Sequence, residues 1–172
     1  HPEKPIADLT PAAVLVPLVE RRHGLHVLLT QRTAHLKDHA GQISFPGGRA
    51  EADDPHPTAT ALRETAEEVG IGAHDIEVVG SLDNYETGTG YLVVPVVGFV
   101  RPHYGLDVDD FEVAEVFEVP LEFLLEPANR QTLERDVGTR RRRYYAYQYE
   151  ERFIWGATAG MLDNLVNRIR AD

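Results

Sequence analysis

The sequence predicts an α/β fold, a sheet covered by helices, from two patterns along its 172 residues. Runs rich in Val and Leu and bounded by turn residues have the composition of strands. Longer segments with apolar residues at three- and four-residue spacing have the period of helices. The two kinds of segment are mixed along the chain, which favours α/β. With 42% hydrophobic residues and 19.2 kDa, one domain over residues 1–172 is expected.

Six strands are expected. The runs at 12–20 and 25–32 are separated by the turn signal RRHG, so they are predicted to pair. The remaining strands are predicted at 76–86, 91–100, 115–120 and 142–149.

Helices are predicted at 57–69 and 157–169, with a shorter one at 121–125. Pro57 suits a first helical turn and Gly70 suits a C-terminal cap. In the first helix the expected core side consists of Ala59, Leu62, Ala66 and Val69. In the last helix the expected core stripe consists of Met161, Leu162, Leu165, Val166 and Ile169.

Composition narrows the functional classes. The net charge is −11, with 28 Asp and Glu against 17 Lys and Arg, so duplex nucleic acid is not an expected partner. The sequence contains no run of about 18 apolar residues, so no membrane-spanning helix is predicted. The chain has no Cys, which excludes disulfides and zinc-thiolate sites and is compatible with the cytoplasmic location that we expect. An anionic ligand would need a bound cation or an Arg cluster to reverse the local charge.

Three glutamates stand close together in the helix predicted at 57–69. At about 100° per residue, Glu64, Glu67 and Glu68 are expected to share the face opposite the apolar side. Glu64 and Glu68 are i,i+4 neighbours, where two carboxylates repel by about 0.2–0.5 kcal/mol on an open surface. A hard divalent cation would turn this repulsion into a binding site. A solvated acidic face is the alternative interpretation.

The segment before that helix favours the metal interpretation. Gly47 and Gly48 can take positive φ and let the backbone approach a ligand. Pro46 biases Phe45 toward an extended conformation, so the chain is expected to leave a strand and turn sharply. The loop that follows adds a second acidic group, namely Glu51, Asp53 and Asp54.

Residues 48–71 resemble the Nudix box, G-x5-E-x7-R-E-U-x-E-E-x-G-U, in which U is a bulky aliphatic residue. The positions in register are Arg63, Glu64, Glu67, Glu68, Gly70 and Ile71. Two positions depart from the pattern. Asp54 stands in place of the first Glu and is followed by eight residues instead of seven before Arg63, and Thr65 stands at the first U.

A longer segment, residues 28–71, resembles the coenzyme A pyrophosphatase branch of the Nudix hydrolases. It shares LLTxR, the FPGG turn and the TALRE…EE helix with the signature of that branch. The resemblance implies a Nudix fold, an α/β/α sandwich with a mixed sheet. It also implies hydrolysis of the pyrophosphate of coenzyme A to 3′,5′-ADP and 4′-phosphopantetheine with Mg²⁺ or Mn²⁺.

The resemblance also assigns roles. Glu64 and Glu68 are the expected metal ligands, and Glu67 is a further ligand or a carboxylate that orients water, so Glu64 and Glu67 are the catalytic candidates. The candidates on the substrate side are Arg32, Gly47, Gly48 and Arg63. For Arg63, holding the loop or an acid in place is favoured over touching phosphate. For Arg32, a structural ion pair is an equal alternative.

Weaker candidates lie outside this segment. Glu112 and Glu115 precede a strand in a region where Nudix enzymes often supply a general base, although a solvated surface acid is favoured for both. His39 is a candidate for ordering the loop before Phe45. The run RRRRYYAYQY at 140–149 is explained more simply by side-chain alternation along a strand than by a 3′-phosphate contact.

Three functions are compatible with these residues. The first is a metal-dependent coenzyme A diphosphatase, and the second is a Nudix hydrolase of another nucleoside diphosphate derivative, such as ADP-ribose or a dinucleotide. The third is a non-catalytic module that senses a nucleotide, against which the intact trio of glutamates argues. In each case the partner is a small molecule, with no nucleic acid or membrane, and a homodimer is left open.

Overall fold

The structure is a computed structural model that describes residues 5–36 and 40–171. Its strands are β1 (Thr10–Arg21), β2 (Gly24–Arg32), β3 (Ile43–Ser44), β4 (Gly47–Arg49), β5 (Ile76–Ser81), β6 (Tyr85–Glu86), β7 (Tyr91–Val100), β8 (Val113–Pro120), β9 (Arg130–Val137), β10 (Arg140–Tyr149) and β11 (Arg152–Trp155). Its α-helices are α1 (Pro57–Val69), α2 (Leu121–Leu125) and α3 (Ala157–Arg170). Short 3₁₀ helices lie at Ile6–Asp8, Ala73–Asp75 and Pro127–Asn129.

The larger sheet is mixed. Its order is β3-β2-β1-β7-β5, and β4 pairs with β1, β6 with β7 and β8 with β2. β1 and β7 run parallel, whereas the other pairs in this sheet are antiparallel. The α/β prediction and the pairing of the first two strands are therefore confirmed. The strand expected at 76–86 is divided into β5 and β6, with an irregular register between Val78 and Gly80.

Helices cover both faces of this sheet. On one face, Ala61 of α1 packs against Ala13, Leu15 and Val96. On the other face, α3 and the antiparallel sheet β11-β10-β9 pack over a larger core that includes Leu29, Phe117, Tyr147 and Leu162. Strand β9 was not predicted, because only one of its eight residues is even half-buried and it therefore shows no apolar alternation.

Helix α1 has the predicted bounds, but a different face is buried. Gly70 ends the helix with φ 77°, as expected of a C-terminal cap, and the ring Nδ1 of His56 accepts the Ala59 N–H at 3.1 Å as an unpredicted N-terminal cap. The buried residues are Thr60, Ala61, Thr65, Glu68 and Val69. Ala66 was expected in the core but is exposed. Thr65 is buried in its place, because its hydroxyl donates to the Ala61 carbonyl at 2.7 Å and its methyl group is then free to pack.

Helix α3 follows the prediction except at its end. Four residues of the expected stripe, Met161, Leu162, Leu165 and Val166, are buried. Ile169 is 38% exposed, so its placement in the core was wrong. It lies in the last turn, next to exposed residues at the end of the helix.

The site is built where β1 and β2 diverge. β1 pairs with β2 from Leu18 onward but with β4 from Ala12 to Val14, so the segment from β3 to β4 enters the gap between them. This places Gly47 and Gly48 beside α1.

Among the residues that the structure describes, none of the helices has the length and hydrophobicity needed to cross a membrane.

Candidate active site

Glu68 is the most buried carboxylate on α1, with 7% of its surface exposed. The expectation that the three glutamates share a solvent face is therefore wrong for Glu68, which lies on the side of α1 that packs against the sheet. The backbone N–H of Gly47 donates to its carboxylate. The pKa of Glu68 is raised to about 8, mainly by burial and also by the charges of Glu64 and Glu112, whereas the Gly47 N–H and the charge of Arg32 act to lower it.

Glu64 lies one turn before Glu68, with 17% of its side chain exposed. Burial raises the pKa of Glu64, and a hydrogen bond from Nη1 of Arg63 at 2.9 Å opposes that shift. The charges of Glu67 and Glu112 raise the pKa of Glu64 further. Glu64 and Glu68 are therefore two partly desolvated carboxylates, each in the electric field of Glu112.

The two glycines leave room for this arrangement. A methyl group at Gly48 would stand 2.6 Å from Cδ of Glu64, and one at Gly47 would stand 2.4 Å from the Ala13 carbonyl oxygen. Neither glycine has a positive φ, so that expectation was wrong. The expected sharp turn is confirmed, because the chain bends at Pro46 and reverses direction between β3 and β4. Glycine is needed here because strand β4 approaches both β1 and the Glu64 carboxylate too closely for a side chain.

Arg63 holds the loop before α1 against the helix. Its Nε and Nη2 donate to the two oxygens of Asp54 at 3.1 and 3.0 Å, and Nη2 also donates to the Arg49 carbonyl at 3.2 Å. Nη1 lies 3.4 Å from Glu51 and bonds Glu64. Asp54 also accepts from the Thr60 hydroxyl, and the bonds from Arg63 hold its pKa well below the ordinary value.

Glu67 differs from the other two glutamates. Its side chain is 59% exposed and lies 3.3 Å from Nη1 of Arg63. It therefore stands on the solvent side of α1, whereas Glu68 is buried. Asp53, in the preceding loop, is also exposed.

Two residues from other elements complete the site. Glu112 lies just before β8, and its carbonyl accepts the N–H of Thr33, the residue after β2. Arg32, the last residue of β2, acts on Glu68 through its charge. Its Nε is buried and has no hydrogen-bond partner among the described residues. The signature position of Arg32 indicated this site, whereas no local pattern distinguished Glu112 from Glu115.

The other candidates lie elsewhere. Glu115 is paired with Arg152 rather than with the glutamates of α1. Arg141 and Arg143 pair with acids of the neighbouring strand β9, Glu134 and Asp136, which agrees with the simpler interpretation of that run. His39 lies outside the described residues.

The donor set suits a hard divalent cation with few protein ligands. Within residues 5–36 and 40–171, no group of three or more His, Asp or Glu side chains is placed so that it could hold a metal ion. Mg²⁺ in phosphate-handling sites usually takes one or two carboxylates and completes its shell with water and substrate phosphates. Glu64 and Glu68, one helical turn apart on α1, provide the two carboxylates of such a site.

Sequence comparison identifies the family. A model of the NUDIX domain matches residues 9–137. The chain is 43% identical over 159 residues to an uncharacterized Nudix hydrolase NudL of Citrobacter koseri, covering 92% of this chain and 82% of that protein. It is 40% identical over 159 residues to NudL of Photorhabdus laumondii, covering 92% and 84%.

Solved structures share the fold. A Caenorhabditis elegans Ap4A hydrolase binary complex aligns over 95% of this chain and all of the other, with a TM-score of 0.61 and 17% identity. The NUDIX domain of Shewanella oneidensis NrtR, in a complex with ADP ribose, aligns over 73% of this chain and 82% of the other, with a TM-score of 0.51 and 25% identity. The α/β/α sandwich with a mixed sheet is thus confirmed as the Nudix fold. By its domain match and its relatives, the chain belongs to the Nudix hydrolases, which act on diphosphate bonds and generally use divalent metal ions.

Proposed function

We propose that this Nudix hydrolase cleaves the pyrophosphate of coenzyme A or its derivatives, giving 3′,5′-ADP and 4′-phosphopantetheine. The observation that carries the proposal is the pair Glu64 and Glu68, two partly buried carboxylates with raised pKa values beside Gly48. Such a pair destabilises the fold when ionised and becomes favourable when a cation lies between the oxygens. The rest of the site supports a reaction on a phosphoanhydride.

We assign the cation as Mg²⁺ or Mn²⁺, held by Glu64 and Glu68. When bound, it neutralises phosphate charge and makes water more acidic. This matters for a chain whose net charge of −11 would otherwise repel a diphosphate. Water forms a bond to one phosphorus of the P–O–P bridge and the bridging P–O bond to that phosphorus breaks, so each product keeps one of the two phosphates of the diphosphate.

The remaining residues of the site either hold the acids in place or accept a proton. Glu67 and Glu112 are the two carboxylates next to the pair that stay available to orient water or take its proton. Arg63 is a positioning residue, since it contacts four acids of the loop and of α1 and also the carbonyl of Arg49 at the end of β4. Gly47 and Gly48 let the backbone of β4 approach the carboxylates closely, and their backbone is a candidate contact for a substrate phosphate, as is the side chain of Arg32.

Coenzyme A is favoured over other nucleotides by the sequence around the box. Residues 28–71 resemble the coenzyme A pyrophosphatase signature from LLTxR through FPGG to the catalytic helix. This segment spans β2, β4 and α1, the elements that form the site. We further propose a single domain over the whole chain, a cytoplasmic location and a small-molecule substrate, with a homodimer as an open alternative.

The experiment is a substrate panel with product identification. Coenzyme A, dephospho-coenzyme A, ADP-ribose and NADH are incubated with the protein and Mg²⁺ or Mn²⁺. We expect the highest kcat/KM for coenzyme A, with 3′,5′-ADP as a product. Glu64→Gln and Glu68→Gln should each lower kcat by about 100-fold or more, whereas Glu122→Gln, an exposed change on α2, should not.

The panel separates the alternatives. Preference for ADP-ribose would replace the proposed substrate by another nucleoside diphosphate derivative. Nucleotide binding without metal-dependent turnover of any member would favour a sensing module.

A further inference from the structure

A groove of about 610 Å³ lies between the end of β2 and the turn that joins β10 to β11. Gln31 lies between Ile43 and Glu115, its partners on the two neighbouring strands. Arg152 and Phe153, at the start of β11, line the groove from the second sheet. We call this cavity the β11 groove.

The β11 groove and the carboxylate pair are approached by the same two segments, the end of β2 and the residues around the start of β8. Gln31 precedes Arg32, whose charge acts on Glu68, and Glu115 follows three residues after Glu112. Residues on both sides of the groove therefore continue directly into residues of the active site. A substrate that extends from Glu64 and Glu68 past the end of β2 would contact both sites.

The charges in the β11 groove disfavour a second phosphate. Three carboxylates, of Glu115, Glu150 and Glu151, line it together with one guanidinium, that of Arg152. Arg152 donates to Glu115 and lies 3.7 Å from Glu150. Its positive charge is thus already paired, and the surplus of negative charge would repel an anion.

Arg152 is also fixed in place. Its guanidinium carbon lies 4.1 Å from the centre of the Phe117 ring, and its Nε is buried without a hydrogen-bond partner among the described residues. A stacked and paired guanidinium does not easily turn toward a ligand. It holds Glu115 and Glu150 as acceptors on the wall of the groove.

The groove instead suits a neutral chain with amide groups. The Gln31 amide nitrogen donates to the Gly41 carbonyl at 3.4 Å, its oxygen can accept, and the carboxylates of Glu115 and Glu150 accept N–H and O–H donors. Ile43 and Phe153 supply apolar surface between these polar groups. Phe153 is 40% exposed, as an apolar side chain at the mouth of a binding groove would be.

The turn at the rim is strained. Glu150 has φ 53°, a left-handed conformation that non-glycine residues rarely adopt. Its carbonyl accepts the Gln148 side chain at 2.8 Å, which helps to hold it. Strain of this kind is concentrated at ligand sites, where it fixes the position of a contact residue.

We infer that the β11 groove is the subsite for the neutral, amide-bearing arm of the substrate. This inference rests on the proposed function, in which that arm is the pantetheine half of coenzyme A. It assigns Gln31 and Phe153 as determinants of substrate specificity. The adenosine half, with its 3′-phosphate, would then lie outside this groove.

The test uses each half of the substrate as a separate probe. Binding of pantetheine, which carries no phosphate, and of 3′,5′-ADP is measured by titration calorimetry on the whole protein, together with turnover of coenzyme A. In Gln31→Leu and Phe153→Ala we expect pantetheine affinity to fall about tenfold, as for the loss of one hydrogen bond or one apolar contact. The affinity for 3′,5′-ADP should stay within about twofold, a difference of less than one hydrogen bond.

Controls make each failure distinguishable. Glu122→Gln should leave both affinities unchanged, and thermal unfolding checks that each variant is folded. If the wild-type protein hydrolyses coenzyme A but both variants keep wild-type pantetheine affinity, or weaken both probes equally, the groove assignment is overturned alone. If the wild-type protein does not hydrolyse coenzyme A, the proposed function fails and the pantetheine assignment fails with it.

Discussion

Arg63 and Asp54 form a two-pronged ion pair, with Nε to Oδ1 at 3.1 Å and Nη2 to Oδ2 at 3.0 Å. The pair joins the loop before α1 to the turn of the helix that carries Glu64. A planar guanidinium matches a carboxylate in this geometry, and an ammonium group cannot. The position of Glu64 therefore depends on a residue that need not touch the substrate.

Replacing Arg63 by Lys should test that dependence. We expect kcat/KM to fall about 10- to 100-fold, because the groups that orient metal-binding residues typically have effects of this size. Asp54→Asn should have a similar effect, and Asp53→Asn, an exposed change in the same loop, should have little. Equal activity of Arg63→Lys and the wild-type protein would contradict a positioning role. Steady-state kinetics at saturating Mg²⁺ provide the measurement.

The same ion pair predicts that the free energy of unfolding falls at acid pH. Because the folded pKa of Asp54 lies below its unfolded value, the pair stabilises the fold above the unfolded pKa, and this contribution is lost as the pH falls below about 4. Denaturant unfolding of the wild-type protein should therefore show a decline in this range that is smaller in Asp54→Asn. Parallel curves would argue against the ion pair.

Gly48→Ala should show that Gly48 is needed because a side chain there would displace Glu64, and not because its backbone needs the flexibility of glycine. The added methyl group would stand 2.6 Å from Cδ of Glu64, so the carboxylate must move. We expect kcat to fall at least about tenfold, since small displacements of catalytic groups are costly, while the protein remains folded. Gly80→Ala on β5 is the matched control, because a Cβ there meets no atom within 4 Å. Thermal unfolding and turnover of both variants give the comparison.

Glu68→Gln should make the metal-free protein more stable at high pH. The pKa of Glu68 is raised to about 8 in the folded protein, from an ordinary value of 4.5. Unfolding between these values releases a proton, so this group makes stability fall with rising pH, by up to about 1.4 kcal/mol per pH unit. Glu68→Gln lacks this term, so its free energy of unfolding should exceed that of the wild-type protein increasingly from pH 5 toward about pH 8.

Metal should reverse the order of these two proteins. A cation that binds only the folded state raises its stability, and it does so most where both ligands are ionised. Added Mn²⁺ should therefore raise the midpoint of thermal unfolding of the wild-type protein above pH 8 more than that of Glu68→Gln. Equal shifts in both proteins would remove Glu68 from the ligand set.

Glu67 and Glu112 should differ in their effects on kcat. Glu67 is exposed and close to Arg63, whereas Glu112 acts on both Glu64 and Glu68 through its charge. If one of them takes the proton from water, its change to Gln should lower kcat by about 100-fold or more and remove the acidic limb of the pH profile of kcat. The other change should alter KM or metal dependence only. If neither change affects kcat, both residues are excluded as the general base.

Much of this molecule follows from local sequence. The pairing of β1 with β2, the bounds of α1 and α2, and the C-terminal cap at Gly70 depend on residues that are neighbours in the chain. Apolar period, proline and glycine act over a few residues, so their effects can be predicted without a fold. The acidic helix and its resemblance to the Nudix box can likewise be recognised from residues that are close together in the sequence.

The surroundings of each acid required the packed structure. Glu68 is buried because β4 enters the gap between β1 and β2 and meets α1, a contact between distant segments. Glu112 reaches the same site from the loop before β8, while Glu115, with the same side chain, pairs with Arg152. Burial and electrostatic fields depend on distances through space. Distances between residues that are far apart in the sequence are set only by the folded structure, so a pattern along the chain does not contain them.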